Sequence, residues 1–179
     1  DKDYVMFKRE VGAFQHHRSI IDSIPVLKIS NFAFRNNGNL TFTDVTTEWG
    51  MHIPSFSNGA AFADLDNDGD LDLAIASGGE DGVGAGAPNL FLRNEMQNGV
   101  LHFVEKQVSA EMAEPAARSR SLIPIASVDG KAIDLYFTAL LRQEFPNTLF
   151  RNDRRVDEFQ FVPESGFLTM AINDHGRGV

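Results

Sequence analysis

A short motif occurs three times in this chain at a constant spacing. Its copies all combine an initial Asn, apolar residues and a final Arg-Asn pair, and successive copies are 58 residues apart: NFAFRN (31–36), NLFLRN (89–94) and NTLFRN (147–152). Each copy is followed by a second segment of strand-forming residues: LTFTDV (40–45), LHFVEK (101–106) and FQFVPE (159–164). Regular repetition at this length is typical of a fold that uses one supersecondary unit several times.

Each unit is predicted to hold about four short strands. The segments GAAFADLDNDGDLDLAIA (59–76) and SLIPIASVDGKAIDLYFTA (121–139) both consist of an apolar strand, an acidic turn and a second apolar strand. In the second unit the strands are expected at roughly 58–63, 71–76, 89–93 and 101–106. The pattern predicts an all-β fold made of β-propeller blades. A β-sandwich is the alternative, although it does not require such regular repetition.

The repeats also predict how the chain is divided. We expect residues 1–30 to be an incomplete first blade or an insertion, and residues 31–57 to be the outer strands of the first blade. The second blade is expected at 58–120, a degenerate third blade at 121–175, and the start of a further blade at 176–179. Because propellers close with four to eight blades, about three blades indicate a fragment of a larger propeller. The rest of that propeller, or another chain, would then close the ring.

The second unit contains an unusually acidic loop. Its aspartates follow the spacing D-x-D-x-D-G-x-x-D and occupy alternate positions: Asp64, Asp66, Asp68, Asp70 and Asp72. Ca²⁺ prefers six to eight oxygen ligands, and a tight loop can direct the carboxylates of positions 1, 3, 5 and 9 at one point. Position 7, Asp70, would offer its backbone carbonyl, and Gly69 permits the sharp turn.

The acidic loop has two alternative interpretations. An EF-hand requires a bidentate Glu at position 12, but that position is Ile75, within a predicted strand. A solvated Asp-Gly hairpin turn without metal is the second alternative. Such a turn does not need four additional aspartates, so the sequence predicts a calcium site between two strands.

These residues resemble a known family. NGAAFADLDNDGDLDLAIASGG together with NLFLRN is similar to the FG-GAP/VCBS repeat of the integrin α-subunit propeller and of bacterial surface proteins. RNNGNLTFTDVTTEWG, followed by SNGAAFADLDNDGDLDL, resembles the cartilage-acidic-protein/UnbV group in particular. The resemblance implies a propeller, typically of seven blades, with calcium in the first hairpin of some blades. Carried over to this sequence, it implies side-chain ligands at 64, 66, 68 and 72 and a carbonyl ligand at 70.

The third unit departs from this pattern. Its turn reads SVDGKAID, so Ser127 replaces the first aspartate, two residues are missing before Asp129, and Lys131 adds a positive charge. We therefore expect one calcium ion per chain, bound in the second unit.

Charge and composition limit the class of function. The net charge of −9 disfavours nucleic acid and anionic membrane as partners, and no apolar stretch approaches the length of a membrane span. We expect an extracellular or cell-surface module, secreted and bacterial, that binds a protein or glycan in adhesion or scaffolding. A catalytic or non-catalytic part of a polysaccharide-active surface enzyme is the alternative.

No catalytic residues are predicted. The pair His16-His17 has no third metal ligand nearby, residues 82–88 do not match a nucleotide-binding loop, and Asp174-His175 has no nucleophile-elbow serine to complete a triad. The sequence therefore favours a non-enzymatic protein.

Overall fold

The computed structural model describes residues 27–78, 87–113, 119–139, 147–156 and 158–164. Residues 1–26, where an incomplete blade or insertion is predicted, lie outside these ranges. The same is true of the predicted further blade at 176–179, of the two histidine-containing pairs considered above, and of most of the 82–88 loop.

The described part of the chain is all-β apart from one turn of helix, α1 (Ala110–Ala113). This confirms the predicted fold class. The strands, in chain order, are β1 (Ile29–Ser30), β2 (Phe34–Asn36), β3 (Phe42–Asp44), β4 (Pro54–Ser55), β5 (Ser57–Ala63), β6 (Asp72–Ser77), β7 (Leu90–Asn94), β8 (Phe103–Glu105), β9 (Ser119–Ala126), β10 (Ile133–Ala139), β11 (Thr148–Asn152) and β12 (Phe161–Pro163).

Two four-stranded antiparallel sheets form the body of the described structure. In each sheet the strands pair in chain order, β5-β6-β7-β8 in one and β9-β10-β11-β12 in the other. We call these sheets the second and third blades. The repeated motif occupies the third strand of each, so that β7 ends in Arg93-Asn94 and β11 ends in Arg151-Asn152. Both sheets have the strand order of propeller blades and are consistent with part of a β-propeller.

The first copy of the motif lies in a smaller sheet. Strands β2 and β3 pair with each other in a two-stranded hairpin, and β1 pairs with β4 in a second two-stranded sheet. In the hairpin, Phe34 is opposite Asp44 and Asn36 is opposite Phe42. The hairpin therefore corresponds to the two outer strands of a blade.

Strand β6 is buried on both faces, which explains its continuous apolar sequence. Ala74 and Ala76 belong to a core shared with the third blade, which includes Phe137. Leu73 and Ile75 point to the opposite face and pack with a cluster that extends to the segment after the first hairpin. Burying one large aliphatic or aromatic side chain stabilises a fold by about 1.5–3 kcal/mol.

The second and third blades approach most closely along β5 and β9. Gly59 permits this contact, because a Cβ at that position would lie 3.2 Å from the carbonyl oxygen of Arg120 and from the Cα of Ser121. Near this point Asn58 donates from Nδ2 to the carbonyl oxygen of Ser119 over 3.1 Å. At the other end of β5 the chain enters the acidic loop, which therefore lies where the two blades meet.

Candidate metal centre

The acidic loop joins the last residue of β5 to the first residue of β6. These residues, Ala63 and Asp72, are paired in the antiparallel ladder, so the loop closes on itself as a hairpin. Carboxylate oxygens of Asp64, Asp66 and Asp72 all lie within 4.8 Å of one another. The cluster consists only of oxygen donors, which is the type of ligand that hard cations prefer.

Backbone conformation and local hydrogen bonds order the loop. Asn67 and Gly69 both have positive φ angles, 61° and 97°, which glycine and asparagine adopt most readily. The N–H of Gly69 donates to Oδ2 of Asp64 over 3.2 Å, and the N–H of Asp70 donates to Oδ1 of Asp68 over 3.0 Å. These hydrogen bonds therefore help to arrange the aspartates of the loop.

Asp72 is fully buried and holds two backbone segments together. Its Oδ2 accepts the N–H of Leu65 and its Oδ1 accepts the N–H of Asn94, each over 2.9 Å. Each oxygen keeps a further lone pair that can face a cation. Asp72 thus connects the loop to the end of β7 and also belongs to the carboxylate cluster.

Asp66 is also fully buried, but its bonding is incomplete. Neither carboxylate oxygen has a hydrogen-bond partner among the described residues, and the same holds for Oδ1 of Asp64 and Oδ1 of Asp70. The nearest cationic group is the guanidinium of Arg93, whose Nε lies 3.4 Å from Oδ2 of Asp66. Buried carboxylate oxygens without donors fit a coordinating cation well.

The clustered carboxylates have raised pKa values. Burial raises the pKa of Asp72 to about 6, although the N–H groups of Asn94 and Leu65 oppose that shift. Burial, followed by the charge of Asp68, raises the pKa of both Asp66 and Asp70 above the usual range. The folded loop therefore holds more negative charge than its surroundings compensate, and a bound cation would relieve the excess.

The structure brings together three of the five predicted ligands. Asp64, Asp66 and Asp72 form the cluster, whereas Asp68 and Asp70 lie in the loop outside it. Asp68 is exposed and its carboxylate caps the following turn. Ligand roles for the side chain of Asp68 and the carbonyl of Asp70 remain predictions from the sequence spacing.

Sequence reasoning missed two residues that touch this loop. Arg93, from the second copy of the motif, lies beside Asp66. Asn152, from the third copy of the motif, donates from Nδ2 to the carbonyl oxygen of Leu65 over 3.0 Å. The recurring Arg-Asn pair was the available signal, but nothing in one sequence shows which neighbour each pair meets.

The corresponding turn of the third blade is organised without a carboxylate cluster. Ser127 donates from Oγ to Oδ1 of Asp129 over 2.9 Å and accepts the N–H of Ala132 over 3.1 Å. Arg154 donates from two nitrogens to both oxygens of Asp129, over 2.7 and 2.9 Å. A cationic side chain of the chain itself therefore neutralises the acid in this turn.

The fold and the acidic loop together define a propeller-type repeat protein with a candidate cation site in a blade hairpin. Residues 30–75 of the chain match the family model described as FG-GAP-like repeat. This match runs from the first hairpin into β6 and includes the whole acidic loop. It confirms the resemblance to FG-GAP repeats, whereas the finer grouping with the cartilage-acidic-protein/UnbV proteins has no support from it.

Two further findings concern relatives and membranes. A search of curated proteins found no match to the chain. Among the residues that the structure describes, no helix has the length and apolar character needed to cross a membrane.

Proposed function

We propose that this chain is part of a calcium-stabilised extracellular β-propeller module for protein-protein or cell-surface interaction. The observation that carries the metal assignment is Asp66, which is fully buried with neither carboxylate oxygen hydrogen-bonded in the described structure. Burying an ionised carboxylate costs several kcal/mol unless the charge is paired or coordinated. The charge of Arg93, whose Nε lies 3.4 Å from Oδ2 of Asp66, lowers the pKa of Asp66 less than burial raises it. A cation shared with Asp64 and Asp72 would offset that cost.

Calcium is the cation that the ligand chemistry favours. The cluster offers carboxylate oxygens, and the chain has no cysteine to bind softer metals. Calcium tolerates irregular oxygen coordination of six to eight ligands, whereas magnesium demands a near-ideal octahedron with shorter bonds. We assign calcium a structural role, in which it holds the hairpin between β5 and β6, and we propose no catalytic activity for the chain.

The family supports the interaction role and the compartment. FG-GAP repeats suggest a propeller-like module of a kind often used for protein interaction, and they are typical of extracellular proteins. We infer that the partner is a protein or a glycan at a cell surface. A net charge of −9 argues against nucleic acid and against insertion into anionic membrane. Fractionation of the producing cells tests the location, and recovery in the cytoplasm alone would contradict it.

The first hairpin supports the need for further strands. Phe34 and Phe42 are 56% and 62% exposed, whereas their counterparts in the second blade, Leu92 and Phe103, are buried. We infer that strands from the rest of the propeller, or from another chain, cover this face. Phe34→Asp should then lower the melting temperature of the full-length protein, and an unchanged melt would show that the face is normally in water.

Calorimetric titration with calcium tests the metal assignment. Asp66→Asn keeps the shape of the side chain but removes its charge, and we expect calcium affinity to fall at least tenfold, by about 1.4 kcal/mol or more. Asp153→Asn is the matched control, because Asp153 is exposed and pairs with Arg155 outside the loop. Magnesium should bind the unaltered protein much more weakly. Equal calcium affinity in Asp66→Asn and the unaltered protein would refute the site.

A further inference from the structure

We propose that the side chains of Asn67 and Asn152 form an inter-blade latch that couples cation binding in the acidic loop to the packing of the second blade on the third. The proposal rests on the calcium site proposed above and extends it to a connection between blades. Asn67 belongs to the acidic loop and Asn152 is the last residue of β11, 85 positions further along the chain.

The two side chains bond directly to each other. Asn67 donates from Nδ2 to Oδ1 of Asn152 over 3.1 Å, and its Nδ2 is also 3.3 Å from the carbonyl oxygen of Arg155. Asn67 is therefore held by two groups of the third blade.

Asn152 also forms a hydrogen bond to the backbone of the loop. Its Nδ2 donates to the carbonyl oxygen of Leu65 over 3.0 Å and lies 3.3 Å from that of Ile133 in its own blade. Its Oδ1 accepts the N–H of Arg154 over 2.7 Å, in addition to the bond from Asn67. Asn152 is buried, and both Nδ2 and Oδ1 of its side chain are hydrogen-bonded. Its side chain is therefore held in one position, and it restrains the loop through these bonds.

The latch contacts lie on either side of a proposed ligand. Leu65 and Asn67 are the residues immediately before and after Asp66, and both are bonded to Asn152. Holding the two neighbours restricts the backbone of Asp66 and hence the direction of its carboxylate. Binding of a cation to an already ordered loop costs less conformational entropy of the loop than binding that must first order it.

A second asparagine occupies the equivalent position in the second blade. Asn94 ends β7 as Asn152 ends β11, and both donate a backbone N–H to an aspartate of the preceding strand, Asp72 and Asp134 respectively. Oδ1 of Asn94 is nevertheless buried without a hydrogen-bond partner among the described residues. The asparagine at the end of the motif thus has the same backbone role in both blades, and Asn152 in addition contacts the acidic loop through its side chain.

Coupling of this kind is reciprocal. If the latch favours cation binding, the cation must strengthen the contact between the blades by the same factor. Site-to-site coupling typically changes affinity by about 5-fold to 150-fold. We expect the latch to change the calcium affinity roughly tenfold.

A double-mutant cycle with calcium as the only added ligand tests the latch. Asn67→Gly removes the amide but tolerates the positive φ of this position, and Asn152→Leu removes the second amide at similar size. Each variant should bind calcium roughly tenfold more weakly, and the double variant should bind no more weakly than the poorer single variant. The rise in melting temperature on adding calcium should shrink in parallel.

Asn58→Ala is the matched control. Asn58 also bonds across the two blades, to Ser119, but at the end of β5 remote from the loop. We expect this variant to lose stability while its calcium affinity stays within about twofold. If Asn152→Leu does not fold, the calcium affinities of Asn67→Gly and Asn58→Ala are compared instead, and a loss in Asn67→Gly alone supports the latch.

The outcomes separate the two proposals. Calcium binding by the unaltered protein with undiminished affinity in Asn67→Gly would overturn the latch and leave the metal site standing. Equal loss of affinity in Asn58→Ala and the latch variants would overturn it too, because general weakening of the interface would then explain the effect. An unaltered protein that binds no calcium would overturn the metal site and, with it, the coupling.

Discussion

Asn94 donates its backbone N–H to Oδ1 of Asp72 across 2.9 Å, which joins the end of β7 to the start of β6. The third blade repeats this bond, since the N–H of Asn152 donates to Oδ1 of Asp134 at the same distance. The third blade has no carboxylate cluster among its described residues. An aspartate here therefore stabilises the sheet in both blades, and Asp72 in addition belongs to the proposed cation site.

Replacing these two aspartates should separate the structural role from the metal role. Asp72→Ala leaves the N–H groups of Leu65 and Asn94 without an acceptor, and Asp134→Ala leaves that of Asn152, at a cost of about 1–3 kcal/mol for each donor. We expect both variants to unfold at lower urea concentration. Only Asp72→Ala should abolish calcium binding in a calorimetric titration. Calcium binding retained by Asp72→Ala would remove this residue from the metal site, and its loss in Asp134→Ala would indicate damage transmitted between blades.

Calcium affinity should fall as the pH is lowered through about 6. The pKa of Asp72 is raised by burial from 3.8 to about 6, so near pH 6 a proton competes with calcium for this carboxylate. Affinity should drop about tenfold per pH unit below that value for one displaced proton. The raised pKa values of Asp66 and Asp70 should steepen the dependence. Calcium titrations from pH 5 to 7.5 test this, and a flat profile would contradict it.

The metal-free protein should respond to pH in the opposite direction. Because the pKa of Asp72 is higher in the folded chain than in the unfolded one, the unfolded chain loses its proton first as the pH rises. The contribution of this group to stability is therefore complete below about pH 4 and is lost as the pH rises through about 6. Urea unfolding in the presence of a chelator measures it, with Asp72→Asn as the control that should flatten this part of the profile.

Arg93 should act as an internal competitor of calcium. Its Nε lies 3.4 Å from Oδ2 of Asp66, and its charge lowers the pKa of Asp66 against the larger effect of burial. Arg93→Gln removes this charge, so we expect calcium to bind about fivefold more tightly, or by about 1 kcal/mol. Arg151→Gln is the matched control, because Arg151 pairs with Glu164 on β12's side of the third blade. Weaker calcium binding in Arg93→Gln would mean that the guanidinium orders the site instead of competing for it.

Local sequence patterns predicted the strands and the acidic loop because both are encoded over short distances. In the second blade the predicted strands 58–63 and 71–76 correspond to β5 and β6 within one residue. The last strand was predicted at 101–106 but is limited to Phe103–Glu105, since strand-forming residues at its ends do not all find a partner in the ladder. The spacing of the aspartates placed the cluster in the correct hairpin.

Long-range contacts at the loop could not be predicted in the same way. The spacing gave no sign that both oxygens of Asp72 already accept backbone N–H groups, one of them from Asn94, 22 residues later. It also could not show that Asn152 of the next blade would reach Leu65, 87 residues away. Such pairs depend on how the blades pack, which local sequence patterns do not reveal at the level of individual side chains.

The chain should bind one calcium ion. The acid of the third blade's turn is Asp129, and Arg154 donates to both of its oxygens. The hydrogen bond from Ser127 lowers the pKa of Asp129 most, and Arg154 lowers it further. Asp129 therefore already has a cationic partner, and it does not belong to a cluster of acidic side chains among the described residues. We expect Asp129→Ala to leave calcium affinity and stoichiometry unchanged. Arg154→Gln would remove the built-in cation without creating the missing ligands, and it too should add no second site. Calorimetry on the three proteins measures the number of sites directly: a second equivalent in the unaltered protein that disappears in Asp129→Ala would show that this turn also binds calcium.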